Sequence, residues 1–152
     1  MTADASAVPL EREAFDAALC LGATFVWGTI RDAAAAVRPA VRCDGFVAIG
    51  EPYWRQWPLP DQIDADGFVG LSDTVGRFEG ARFAVTGIVG SSEDDWDRYE
   101  SLHWRAIEEW LTDHPDGAGA AEVRAQHERF RGDYIGFKRA LLGWAIFVGR
   151  KR

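Results

Sequence analysis

Phe15-Asp16-Ala17-Ala18-Leu19-Cys20-Leu21-Gly22 is the stretch on which the fold turns. It is short, almost continuously apolar, and ends in glycine. Those features predict a strand buried on both faces, the kind that lies inside a parallel sheet. From Thr29 to Val41, the residues Ile30, Ala34, Val37 and Val41 recur at helical spacing. Thr29 and Asp32 form a weak capping pair, and Pro39 kinks or ends the helix near its last turn. Phe46-Val47-Ala48-Ile49-Gly50 is a second apolar run of strand length. Strand, helix and strand in that order read as a βαβ unit with a right-handed crossover.

Outward from this unit, residues 51–70 hold Pro52, Pro58 and Pro60 and the turn-like run from Asp64 to Gly67. They predict a long loop, and a loop of that length inside a compact domain is usually functional or mobile. Leu71, Val75 and Phe78 mark a short helix that starts near Ser72 and stops at Gly80, and Arg82 to Val89 reads as a strand. Ser92 stands three residues before Asp95 at the head of a helical pattern carried by Tyr99, Leu102, Ala106 and Trp110. His114-Pro115-Asp116-Gly117 breaks that pattern. A second helix follows with Val123, Phe130, Tyr134, Phe137 and Leu141 on one stripe, and Leu142 to Val148 closes the chain as a last strand. The expected fold is α/β: a partial doubly wound, Rossmann-like, mostly parallel sheet with an antiparallel last strand. It forms a single domain over residues 1–152, with a helical insertion at about 92–141.

Composition excludes several function classes. The 152 residues are 47% hydrophobic and 27% charged, the balance of a folded domain and not of a disordered tail. A formal net charge of -7 argues against nucleic acid, which needs clustered Lys and Arg. The basic end Arg150-Lys151-Arg152 reads as a solvated terminus. Two cysteines, Cys20 and Cys43, make no disulfide framework and no zinc pair, and the three histidines have no metal-ligand spacing. The first residues show no signal-peptide pattern, and no apolar run is long enough to span a bilayer. A cytoplasmic chain without a membrane or nucleic-acid partner is expected.

Phe15 to Gly22 looks like the fourth strand of the class I S-adenosylmethionine-dependent methyltransferases, where an F-D-x-A-x-C/S pattern ends against the cofactor. Ala40-Val41-Arg42-Cys43-Asp44-Gly45-Phe46 resembles that family's L-R-P-G-G turn into its fifth strand. Gly50-Glu51-Pro52-Tyr53-Trp54 matches a strand end found in small-molecule methyltransferases of the class. The final strands with their helical insertion resemble the sixth and seventh. The likeness runs nearly the whole length, and its strength lies in the order of the segments. Cys43-Asp44 departs from the Pro-Gly of the usual turn. The glycine-rich loop after the family's first strand, and the acidic residue after its second, have no counterpart. Asp4-Ala5 resembles the acidic turn after the third strand, so the resemblance sets Met1 near the end of that strand and implies a truncated domain. A sheet lacking its first two βα units would expose a hydrophobic edge and face.

What the resemblance implies is methyl transfer from S-adenosylmethionine to a small molecule, by a domain inactive alone unless complemented. A non-catalytic partner subunit or binding module is the alternative, and a homodimer or a complementing chain is the expected association. Ligands of open α/β sheets bind at the carboxyl ends of the strands, here Cys20 to Thr24 and Glu51 to Trp54. Asp4, Ala5, Cys20, Leu21 and Gly22 are the candidate cofactor residues. Glu51 is the candidate catalytic base or substrate anchor, with a backbone-bonded strand-end carboxylate as the other reading. Trp27, Tyr53, Trp54 and His103 are the candidate substrate residues; for the aromatic ones, ordinary packing is the other reading. The acidic run Glu93 to Asp97 either grips a cationic substrate or charges a helix N-terminus favourably.

Overall fold

The computed structural model describes residues 4–152. Its four strands are β1 (Phe15–Leu21), β2 (Val41–Trp54), β3 (Phe83–Gly90) and β4 (Leu142–Lys151), in one sheet of order β1-β2-β4-β3. β1 pairs parallel to β2, and β3 pairs antiparallel to β4. The chain forms two compact units: the residues up to Gly90 together with Gly143–Arg152, and Ser91–Leu142.

In the first unit, α1 (Ile30–Val37) makes the crossover from β1 to β2. Thr29 caps it by accepting from the Asp32 amide, and Pro39 falls in the 3-10 turn Arg38–Ala40 that ends it. α2 (Leu71–Glu79) precedes β3. Ile30, Ala33, Ala34 and Val37 of α1 bury themselves in one cluster with Cys20, Val47, Ile49, Phe83, Ala145 and Phe147 of the strands and Phe78 of α2. Phe78 stacks on Phe83 at 5.6 Å between ring centroids. Gly149 makes room for this stack, since a Cβ there would meet Phe78 Cζ at 2.8 Å.

Three expectations need correction. β1 is not buried on both faces. It is an edge strand, and Phe15, Leu19 and Leu21 are exposed while Cys20 is buried. The second strand is far longer than Phe46–Gly50: pairing with β1 starts at Val41 and shifts register between Phe15 and Ala17. The Cys43-Asp44-Gly45 turn is thereby absorbed as an irregularity inside β2, with Asp44 at a φ of 61°. The basic end is not a solvated tail. β4 runs on to Lys151, which pairs with Phe83, and the buried Lys151 ammonium donates to the Val41 carbonyl.

The second unit is helical: α3 (Glu93–Asp113), then α4 (Ala120–Asp133), which continues through a π-helical turn at Tyr134–Lys138. Ser92 and Asp95 form a reciprocal capping box at the head of α3. The acidic run lies in the first turns of α3, and its Glu93 and Asp97 engage a cation of the chain itself, Arg139. Asp97 accepts two hydrogen bonds from Arg139, both at 2.9 Å, and a third from the Tyr134 hydroxyl, while Glu93 lies 3.2 Å from the same guanidinium. His127 is buried against Glu108 at 3.3 Å.

Removal of the Phe78 ring should leave a cavity under β4 and cost about 3–5 kcal/mol. Urea unfolding of Phe78→Ala followed by Trp fluorescence reads this directly, and a loss below about 1 kcal/mol would show that the stack is not central to the core.

Candidate functional site at the strand rim

Parallel pairing brings the carboxyl ends of β1 and β2 to one rim. Leu21 stands opposite Gly50, and the Gly22 amide donates to the Gly50 carbonyl at 3.1 Å. Gly22 then turns the chain at a φ of 67°, a left-handed conformation that costs glycine nothing. The turn sends the chain into a single 3-10 turn, Thr24–Val26. Thr24 is buried there, and its hydroxyl donates to Glu51 Oε2 at 2.5 Å.

Glu51 is the only acidic side chain among the buried described residues, 6% exposed. Burial pushes its carboxyl above the usual range, and the Thr24 hydroxyl and the Arg77 charge partly offset this. It follows Gly50 in the strand, so its side chain leaves on the face of Ile49, the face packed by α1. Cys20, partner of Ile49, shares that face. Burial likewise holds its thiol above the ordinary range. A protonated, enclosed thiol is a packing group and not a nucleophile.

The other expected residues are dispersed. Leu21 is half exposed at the rim. Tyr53 packs edge-on against Phe147, with ring centroids 6.3 Å apart. Trp54 is buried; its indole donates to the Ala65 carbonyl and its amide to the Val69 carbonyl, so it anchors the loop that follows. Asp4 is committed locally, accepting from the Ser6 amide and hydroxyl at 2.9 and 2.8 Å. Ala5 and Trp27 line a hollow of about 150 Å³ with Val8, Leu10, Ala36 and Val37, and neither Gly22 nor Glu51 lines it. His103 belongs to the helical unit, exposed, with its ring 4.5 Å from that of Tyr99. The expected position of Met1 lies outside the described residues.

Thr24 and Arg77 escaped the sequence reading as partners of Glu51. Thr24 is 27 positions from Glu51, and no local pattern links a hydroxyl after one strand to a carboxylate after the next. The chain's one G-x-G, Gly117-Ala118-Gly119, lies between α3 and α4 and follows no strand. Among the described residues no cluster of His, Cys, Asp and Glu could hold a metal ion, and no helix is long and apolar enough to cross a membrane.

No family model matches the chain. The uncharacterized protein YjhP of Escherichia coli is 34% identical over 143 residues, which cover 90% of this chain and 58% of YjhP. The crystal structure of YjhP superposes with a TM-score of 0.88, covering 99% of this chain and 64% of that one. A SAM-dependent methyltransferase from Geobacter sulfurreducens, solved with S-adenosyl-L-homocysteine, is 31% identical with a TM-score of 0.87 over the whole chain and 64% of its own. A SAM-dependent methyltransferase from Thiobacillus denitrificans, solved with the same ligand, is 28% identical with a TM-score of 0.87 over the same shares. The chain spans less than two thirds of the length of each of these relatives. Its strand order, with the last strand inserted beside β2 and antiparallel to β3, and these likenesses together show that the chain has the fold of the class I S-adenosylmethionine-dependent methyltransferases.

Proposed function

We propose that this chain supplies the acceptor-side rim of an S-adenosylmethionine-dependent methyltransferase that acts on a small molecule, and that these 152 residues are inactive without a complementing segment. The observation that carries the reading is the joining of the Gly22 turn and the buried Glu51 carboxylate at the ends of two parallel strands, through Thr24.

The residues present fit one side of such a cofactor. A Cβ added at Gly22 would meet nothing within 4 Å, so its backbone is open to close approach by a nucleoside-like group. Leu21 beside it offers an exposed apolar surface. Asp4 and Ala5, engaged elsewhere, do not extend this shelf. No glycine-rich turn following a strand, with its row of backbone amides, stands among the described residues.

The bound cofactor supplies an already activated methyl group, so the protein has to orient the acceptor and manage a proton. Glu51 suits the second task. Its raised proton affinity lets it accept a proton from an acceptor hydroxyl or amine, and the Thr24 hydroxyl fixes which way the carboxylate faces. Tyr53 is proposed to bound the acceptor's space and Trp54 to hold the loop beside it, while Trp27, which lines the separate hollow, is outside the proposal. His103 is outside the proposal.

Two outcomes are expected. Isothermal titration of the chain alone with S-adenosylmethionine should show no binding tighter than about 1 mM, and micromolar affinity would refute the need for a complement. In the completed domain, methyl-labelled cofactor should label an acceptor from a small-molecule extract, with Glu51→Gln slowing transfer about 100-fold or more; an unchanged rate would remove Glu51 from the chemistry.

A third outcome concerns stability. Because the folded chain holds the Glu51 proton to higher pH than the unfolded chain, the stability present at low pH is lost as pH rises through the raised pKa. Urea midpoints taken from about pH 4 to about pH 7 should therefore fall for the unaltered chain relative to Glu51→Gln. Parallel curves would mean that burial does not perturb this carboxyl.

A further inference from the structure

We infer that the outer edge of β3 is a self-association surface, on which a second copy of this chain adds antiparallel across a two-fold axis and continues the sheet. The inference goes beyond the proposed function and is independent of it, since β3 stands at the other end of the sheet from β1. Among the described residues β4 is the one sheet neighbour of β3, and no backbone hydrogen bond of residues 83–90 leads outside that ladder.

The strand reads Phe83-Ala84-Val85-Thr86-Gly87-Ile88-Val89-Gly90, eight residues without a charge or a proline. Edges that face solvent are normally guarded by lysine, proline or an inward-pointing charge. The one irregularity here is the extra residue Thr86, where the register with β4 shifts between Val85 and Gly87. A bulge bends its strand, so it limits regular pairing to Gly87–Gly90 and fixes where a partner strand can start. Within that run Ile88 is 45% and Val89 61% exposed.

The pattern of the run selects the occupant. Residues paired across a ladder share a face, so Ile88 lies on the side of Phe147 and Val89 on the side of Ile146. A two-fold axis through the sheet that sets Ile88 opposite its own copy sets each Val89 opposite Gly87 of the other copy. Glycine has no side chain to collide there, and a Cβ added at Gly90 would meet nothing within 4 Å. The branched side chain of one copy thus covers the glycine of the other, and the two Ile88 side chains meet on the opposite face. Charge agrees with the same orientation. Exposed Arg82 immediately precedes β3, and the acidic first turn of α3, Glu93-Asp94-Asp95, begins three residues after Gly90. An antiparallel copy therefore meets opposite charge at each strand end, where a parallel one would set like against like. A strand of unrelated sequence would gain the backbone bonds alone. The contact is isologous, so it closes at two copies.

Sedimentation velocity of the full chain, from about 1 µM to about 1 mM, tests this. A pairing run of four residues makes a small interface, so a weak dimer is expected, with Kd on the order of 10–100 µM. Val89→Lys and Val89→Glu, each alone, should weaken it at least tenfold, because the two copies of this side chain lie diagonally across the new strand pair and repel. An equal mixture of the two variants should restore the dimer, which a damaged fold would not do. Val89 is exposed, so circular dichroism of each variant should match that of the unaltered chain. Leu19→Lys, at an exposed residue of β1, should leave the dimer intact. A chain that stays monomeric across the whole range overturns the inference. So does a dimer indifferent to Val89→Lys, a dimer dissolved by Leu19→Lys, or a mixture of the two Val89 variants that stays monomeric.

Discussion

The parallel ladder between β1 and β2 is the constraint from which the rest of the first unit follows. Parallel neighbours cannot be joined by a tight turn, so the chain must cross over the sheet, and α1 is that crossover. A crossover helix needs a face to bury, which accounts for Ile30, Ala33, Ala34 and Val37 sealing Cys20, Val47 and Ile49. The same ladder makes both strands end at one rim. Once Leu21 is opposite Gly50, Gly22 and Glu51 are adjacent whatever the intervening sequence does, and a hydroxyl placed just after the turn reaches the carboxylate.

The burial of Glu51 runs against the hydrophobic logic of the surrounding cluster. A carboxylate held away from water costs several kcal/mol unless it is paired or protonated. Here it has one short hydrogen bond from Thr24 and the more distant charge of Arg77, and burial remains the larger influence. Arg139 in the helical unit shows the contrasting solution, two carboxylates gripping one guanidinium where solvent screens the charges. The Asp97 group is lowered by its partners and Glu51 is raised by its surroundings. A group left in the second condition is suited to exchanging a proton, and one in the first to holding a helix turn in place.

Legibility from sequence followed the range of the interaction. β1, the Thr29 cap, the Ser92–Asp95 box and the turn at Gly22 are local patterns of composition and spacing, and each lies where it was read. What escaped depends on partners far along the chain. The length of β2 is set by pairing that begins at Val41, through a bulge that hides the periodicity. Lys151 is drawn in by a carbonyl 110 positions away. Apolar continuity placed β1 as a strand but misread it as buried on both faces, because composition alone does not say which strands lie at a sheet edge.

That last point bears on how the fold and the site relate. Within the first unit the sheet is sealed on the α1 face, where the core cluster lies and where Glu51 is held, while the β1 edge and the Leu19 face stay open. The rim around Glu51, the proton acceptor of the proposed function, is thus made by contacts internal to the chain. The cofactor side of the rim, in the proposed function, is the open backbone at Gly22. A carboxylate held by the Thr24 hydroxyl keeps its geometry through contacts of this chain alone, so its orientation is fixed before any ligand arrives.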